Sequence, residues 1–261
     1  MLPLDAELAM NPSMKALRNI YEEGDMAIIH GVGYANSPRS HFRSMDIWHT
    51  AEPDKVGTEG WLGRAVRDID PKSENPVTAV NIGQGLPRAL VAPRVSVASV
   101  ADLSTYGLLT TVEQQSQREK MLSRFSNMYG AALGSGPVME YLGQTGIDAM
   151  HGADILKVAT QVYQSNVEYS SSSVASSLKD IATIHKANLG TRVFYTQYGS
   201  FDTHAAQAPA HAQLWQDVSG GIQDFWDDLK ETGHDENVVM FLFSEFGRRV
   251  RDNGSGTDHG A

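Results

Sequence analysis

The spacing of apolar and polar positions divides this chain into strand-like and helix-like stretches. Four short apolar runs read as strands: Asp25–Gly33, Pro76–Ile82, Thr191–Gln197 and Asn237–Phe243. They are bounded by turn residues and do not alternate, the pattern of strands buried on both faces. Val91–Val100 alternates irregularly and reads as short strands. Helical spacing governs the rest. Asn11-Pro12-Ser13 starts an amphipathic stretch that runs to Glu23, with Leu17, Ile20 and Tyr21 on one face. Further helices are expected from Ser40 to about Thr50, over Gly60–Val66, and from Ala205 to about Lys230. The last carries Leu214, Val218, Ile222, Phe225 and Leu229 at three- and four-residue steps. From Thr111 to about His185 the pattern is helical, with breaks expected at Gly130–Pro137 and Gly143–Gly152. Ser170–Ser173 reads as a helix start, because Val174, Leu178, Ile181 and Ile184 continue an apolar stripe.

Strands of this kind alternating with helices predict an α/β fold with a mostly parallel sheet covered on both faces. The expectation is a single domain over 1–261, with 111–187 a mainly helical insertion or cap. No internal repeat is visible.

Composition narrows the class. With 261 residues, 41% of them hydrophobic, the chain can bury a sizeable core. Its 21 basic and 31 acidic residues give a net charge of −10, which argues against a nucleic-acid surface and against unaided docking on an anionic membrane. An anionic substrate stays possible, because a bound metal ion inverts the local field. The absence of cysteine excludes disulfides, thiolate metal sites and thiol nucleophiles. No run approaches the roughly 18–20 apolar residues of a membrane helix, and the first residues, Met1 to Glu7, lack the pattern of a signal peptide.

The residues able to do chemistry gather after the apolar runs. Asp202 and His204 are two apart, so an extended segment can aim both at one metal ion. The alternative is that Asp202 caps the following helix and His204 is solvated. Glu245, after the last predicted strand, is placed to be a ligand or base, and Arg248 and Arg249 to hold an anionic group. A Glu245–Arg248 pair is the structural alternative. Asp258-His259 lies in a loop rich in small polar residues. Ser40 stands at an expected helix N-terminus between Arg39 and His41, where anions bind and a nucleophile is favoured; an ordinary Ser cap is the other reading.

Together these pieces resemble one family. Arg39-Ser40-His41-Phe42, Gly60-Trp61-Leu62-Gly63-Arg64, Phe201-Asp202-Thr203-His204, Ser244-Glu245-Phe246-Gly247-Arg248 and Gly256-Thr257-Asp258-His259-Gly260 occur in the order expected of domain-of-unknown-function family 1501. That family is placed with the alkaline-phosphatase and sulfatase superfamily. The resemblance implies an alkaline-phosphatase-like three-layer sandwich and an exported or periplasmic bacterial protein. It implies a divalent metal ion (zinc, calcium or magnesium) and a small anionic ester as substrate. Carried over, Ser40 takes the nucleophile's place with Arg248 steadying charge. Arg39, His41 and Arg249 would bind substrate, and Asp202, His204, Glu245 and His259 would hold metal. Three features depart from the superfamily. Phe246 stands where a metal-binding His is usual, the D-x-x-x-H spacing is shortened to D-x-H, and no strand upstream of Leu2 supplies another Asp. The chain therefore reads as a fragment lacking both ends. The expected function is a metal-dependent hydrolase of phosphate or sulfate esters. The rival, resting on Phe246, is a non-catalytic exported binding or assembly protein on a hydrolase scaffold.

Overall fold

A computed structural model describes residues 1–37, 40–106, 114–130 and 136–260. Among these, the elements in chain order are β1 (Leu2–Pro3), β2 (Ala9–Met10), α1 (Lys15–Glu23), α2 (His41–Thr50), α3 (Trp61–Ile69), β3 (Ala79–Ile82), β4 (Ala98–Val100), α4 (Gln115–Gly130), α5 (Pro137–Val162), α6 (Ser173–Lys186), β5 (Val193–Thr196), α7 (Gln207–Lys230), β6 (Arg248–Asp252) and β7 (Thr257–His259). The result is a mixed α/β chain with a three-stranded parallel sheet, divided into two compact units.

One unit comprises residues 1–57, 165–182 and 197–261. Its core is helix against helix. Leu17 and Ile20 of α1 are buried, as are Val218, Phe225 and Leu229 of the predicted α7 stripe. Burying each such side chain is worth about 1.5–3 kcal/mol. Two buried polar groups find partners here: the Leu17 amide donates to Ser219 Oγ at 3.1 Å, and the fully buried Asp228 accepts from Tyr169 Oη at 2.8 Å. The serine tract does open α6, with Ser172 Oγ accepting from the Ala175 amide at 3.3 Å.

The other unit comprises residues 58–164 and 183–196. Here β3 lies between β4 and β5, parallel to both, with Val80 opposite Ala98 and Phe194. Every residue of β3 is buried, including Asn81, whose Nδ2 donates to the Gly85 carbonyl at 2.9 Å and to Ser99 Oγ at 3.0 Å. Val66 of α3 packs with Ala79, Leu90 and Tyr195. Gly60 and Gly63 of the Gly-Trp-Leu-Gly-Arg motif explain themselves in this unit. A Cβ at Gly60 would overlap the carbonyl groups of Arg88 and Ala89, and one at Gly63 would lie 2.8 Å from the carbonyl oxygen of Leu90. The Gly60 amide donates to the Val91 carbonyl at 2.7 Å, so the backbone cannot simply retreat. Gly60→Ala is therefore expected to destabilise the protein by about 1–3 kcal/mol, the usual cost of overpacking. Urea unfolding checks this: an unchanged midpoint would remove the packing argument.

Three expectations need correcting. Asp25–Gly33 is not a buried strand: among the described residues it pairs with no strand, and Ile29 and Val32 are 78% and 59% exposed. Apolar content alone does not make a strand without a neighbour to receive its N–H and C=O groups, and Gly31 leaves the extended region altogether at φ +68°. Among the described residues Asn237–Phe243 likewise forms no ladder. Val239 and Phe241 stand 80% and 77% exposed, and Phe243 stacks on Trp48 with ring centres 5.3 Å apart. Finally, the break expected at Gly143–Gly152 is absent, since α5 runs through both glycines. Each Gly costs a helix about 1 kcal/mol, but Met150, Ala153, Leu156 and Ala159 are buried along the same helix and outweigh it.

Candidate functional site

The two motifs nearest the chain's end are the arms of one hairpin. β6 and β7 run antiparallel, with Arg248 opposite His259 and Asp252 opposite Thr257, and an irregularity between them. The turn closes through the Asn253 amide on the Gly256 carbonyl, 2.8 Å. Asp258-His259, expected in a loop, pairs with the Arg248 arm because the Asn253–Gly256 turn reverses the chain.

This hairpin is clamped to the Phe201–His204 segment, within the same unit, by three side chains. Arg248 donates through Nη1 to the Thr257 carbonyl at 2.7 Å, and through Nη2 to the Phe201 carbonyl and to Thr203 Oγ1. Gln207, at the start of α7, donates to the Thr203 carbonyl at 3.2 Å and accepts from the Thr257 amide at 2.7 Å. Gly256 leaves room for it, because a Cβ there would sit 2.6 Å from Gln207 Cβ. Asn253 Nδ2 donates to the His204 carbonyl at 3.1 Å and to Asp258 Oδ1 at 2.9 Å. Behind Asp202, the Phe201 ring lies edge-on to Trp215 at 5.3 Å and to His211 at 6.0 Å. Burial pushes the His211 imidazole below its ordinary pKa, with the Arg248 charge adding to it.

On this frame carboxylates and imidazoles alternate. Glu245 Oε1 lies 2.9 Å from His41 Nδ1, and His41 Nε2 lies 3.3 Å from Asp202 Oδ2. Asp202 Oδ1 lies 3.0 Å from His204 Nε2, and His204 Nδ1 lies 3.1 Å from Asp258 Oδ1. His259 completes the group, with its ring centre 4.3 Å from that of His41 and 5.1 Å from that of His204. Ligand atoms of His41, Asp202 and His259 all lie within 4.8 Å of one another. His41 Nε2 is buried and makes no hydrogen bond, despite its closeness to Asp202. The Asp258 carboxyl is held below the usual range by the Asn253 amide first, then by His204, with the Arg249 charge contributing.

Of the predicted residues, the structure brings Asp202, His204, Glu245, His259 and His41 together. His41, expected to bind substrate, belongs to the group of possible metal ligands, whereas Glu245, expected to be a ligand, faces His41. Arg248 spends its guanidinium on loop carbonyls and lies over the Phe246 ring at 5.2 Å. Arg249 is exposed on β6. Ser40 is the N-cap residue of α2, and its hydroxyl makes no cap hydrogen bond. Arg39 lies outside the described residues. Phe246 forms a wall, its ring 5.2 Å from His41 and 5.8 Å from His259, both edge-on. Sequence reasoning missed Gln207 and Asn253, whose only sequence signal is proximity to the motifs they bind. No helix among the described residues is long and apolar enough to cross a membrane.

The profile of a protein family described as "Protein of unknown function (DUF1501)" matches residues 27–261. No curated protein and no solved structure matches the chain.

Proposed function

The chain belongs to the DUF1501 family, and on that premise we propose that it is a metal-dependent hydrolase of phosphate or sulfate esters. One observation carries the reading: three ligand-type side chains converge, and one of them offers a buried nitrogen that makes no hydrogen bond, with a carboxylate oxygen of another 3.3 Å away. A buried unpaired imidazole nitrogen costs about 1–3 kcal/mol, a cost that coordination removes. Two imidazoles and one carboxylate make a donor set suited to zinc and similar ions; calcium and magnesium favour oxygen ligands throughout. His41, Asp202 and His259 would hold the ion, with His204 beside Asp202. When bound, a divalent ion polarises an ester oxygen and offsets charge gathering on the group being transferred.

The chain's own residues supply the rest. Ser40 sits one residue before His41 at the amino end of a ten-residue helix, where peptide dipoles favour negative charge on its hydroxyl and on an anionic substrate. Its Oγ would attack phosphorus or sulfur while the ester P–O or S–O bond breaks, the serine proton ending on the leaving alcohol oxygen; water would then cleave the seryl ester, restoring the Ser40 hydroxyl and releasing phosphate or sulfate. Phe246 shields the imidazoles on one side and offers no ligand atom there. An alkaline-phosphatase-like sandwich is the architecture we propose around the parallel sheet, with export to the periplasm following from the same resemblance.

A second reading has its own support. Arg248 and Phe246 serve as frame rather than as reactive groups, which suits a non-catalytic binding or assembly protein that keeps the metal centre. Metal analysis combined with turnover of aryl phosphates and aryl sulfates separates the two. We expect one zinc-type ion per chain and ester turnover that falls by orders of magnitude in Ser40→Ala. Bound metal without turnover supports the second reading; no metal binding at all removes the first.

A further inference from the structure

We propose that Glu245 is a positioning residue: it fixes the tautomer and orientation of His41 so that Nε2 is the nitrogen offered to the metal ion. The inference rests on the metal-site reading above, and it assigns Glu245 a place outside the ion's immediate shell. A neutral imidazole carries one proton, and the partner of one nitrogen decides which nitrogen keeps a lone pair. Glu245 Oε1 lies 2.9 Å from His41 Nδ1, at a side chain 19% exposed. A carboxylate can only accept, so Nδ1 carries the proton and donates it. Nε2 also faces a carboxylate oxygen, Asp202 Oδ2 at 3.3 Å, but makes no hydrogen bond to it; the shorter, hydrogen-bonded contact is at Nδ1, so Nε2 keeps the lone pair, buried within the 4.8 Å group that includes Asp202 and His259. This is the carboxylate–histidine arrangement by which proteins orient an imidazole toward a metal.

Other features of the site point the same way. Glu245 is not one of the three side chains whose ligand atoms converge. The Phe246 ring, from the very next residue, packs edge-on against His41 at 5.2 Å, so one dipeptide fixes the ring by a hydrogen bond and a steric wall together. A second imidazole is held alike, His204 Nδ1 lying 3.1 Å from Asp258 Oδ1.

The test uses two variants of the whole chain. Glu245→Gln keeps an oxygen that can accept from Nδ1; Glu245→Ala keeps none. Zinc affinity measured by calorimetry is expected to fall about 10- to 100-fold in Glu245→Ala, the range for loss of an outer partner, and less than about fivefold in Glu245→Gln. Nitrogen NMR of His41 in the metal-free protein is the independent readout. The Nδ1–H tautomer should dominate in the unmodified chain and in Glu245→Gln, and should give way to Nε2–H in Glu245→Ala. Loss of zinc binding in Glu245→Gln as complete as in a variant of Asp202 would make Glu245 a ligand and overturn the proposal. So would an Nε2–H tautomer in the unmodified protein. Should that protein bind no zinc, the metal reading falls, and the NMR result alone decides whether Glu245 sets the tautomer of His41.

Discussion

Asp202→Asn lowers zinc affinity by more than about a hundredfold, beyond the 10- to 100-fold typical of losing an outer partner. The expectation follows from the position of one carboxylate. Its two oxygens face different imidazoles, Oδ2 toward His41 at 3.3 Å and Oδ1 toward His204 at 3.0 Å. It is also the sole carboxylate of the converging group, so its removal leaves two neutral imidazoles to neutralise a dication. Asn keeps the volume and one carbonyl oxygen but has no charge. Because Asp202 is exposed, the metal-free variant should unfold within about 1 kcal/mol of the unmodified chain, as for other exposed ion pairs. Calorimetric zinc titration and urea unfolding of both proteins check the two halves. Undiminished zinc binding in Asp202→Asn would place the ion elsewhere.

The parts of this site that sequence made legible share a physical feature, as do the parts it did not. Asp202, His204, Glu245 and His259 are residue types with few reasons to cluster, and their motifs point to one place before any geometry is known. Helices α1, α2 and α7 follow from periodicity, with Gly24 stopping α1, and these are local signals. Pairing is not local. The apolar run before Glu245 looks like a strand, yet no described strand receives its hydrogen bonds, whereas the polar residues Arg248–Asp252 do form a ladder with Thr257–His259. Apolar character predicts burial on a sheet, not the presence of a partner. The division of labour within the site was hidden for the same reason. Glu245 as ligand and Glu245 as the support of a ligand have the same sequence; the 2.9 Å approach to His41 Nδ1 is what supports the second role.

Arg248 carries the other large effect, and it separates two roles for one residue. If its guanidinium steadied charge on a substrate, Arg248→Ala would fold normally, bind zinc normally and lose only turnover. The structure gives it different work. It joins the carbonyls of Phe201 and Thr257 and the hydroxyl of Thr203, so it ties the segment bearing Asp202 and His204 to the hairpin bearing His259. Hydrogen bonds to a charged donor contribute about 1.5–3 kcal/mol each when buried, and these are partly buried. Removing all of them, together with the contact to the Phe246 ring, should destabilise the protein by about 2–4 kcal/mol. Zinc affinity should fall with it, because the ligands would no longer be held at one separation. Lys at this position keeps the charge but not the fork, and a single ammonium cannot reach three acceptors in fixed geometry. Arg248→Lys should therefore recover less than half of the lost stability and little of the lost affinity. Urea unfolding and zinc titration of the three proteins decide it: stability and affinity unchanged in Arg248→Ala would return Arg248 to the substrate side of the site.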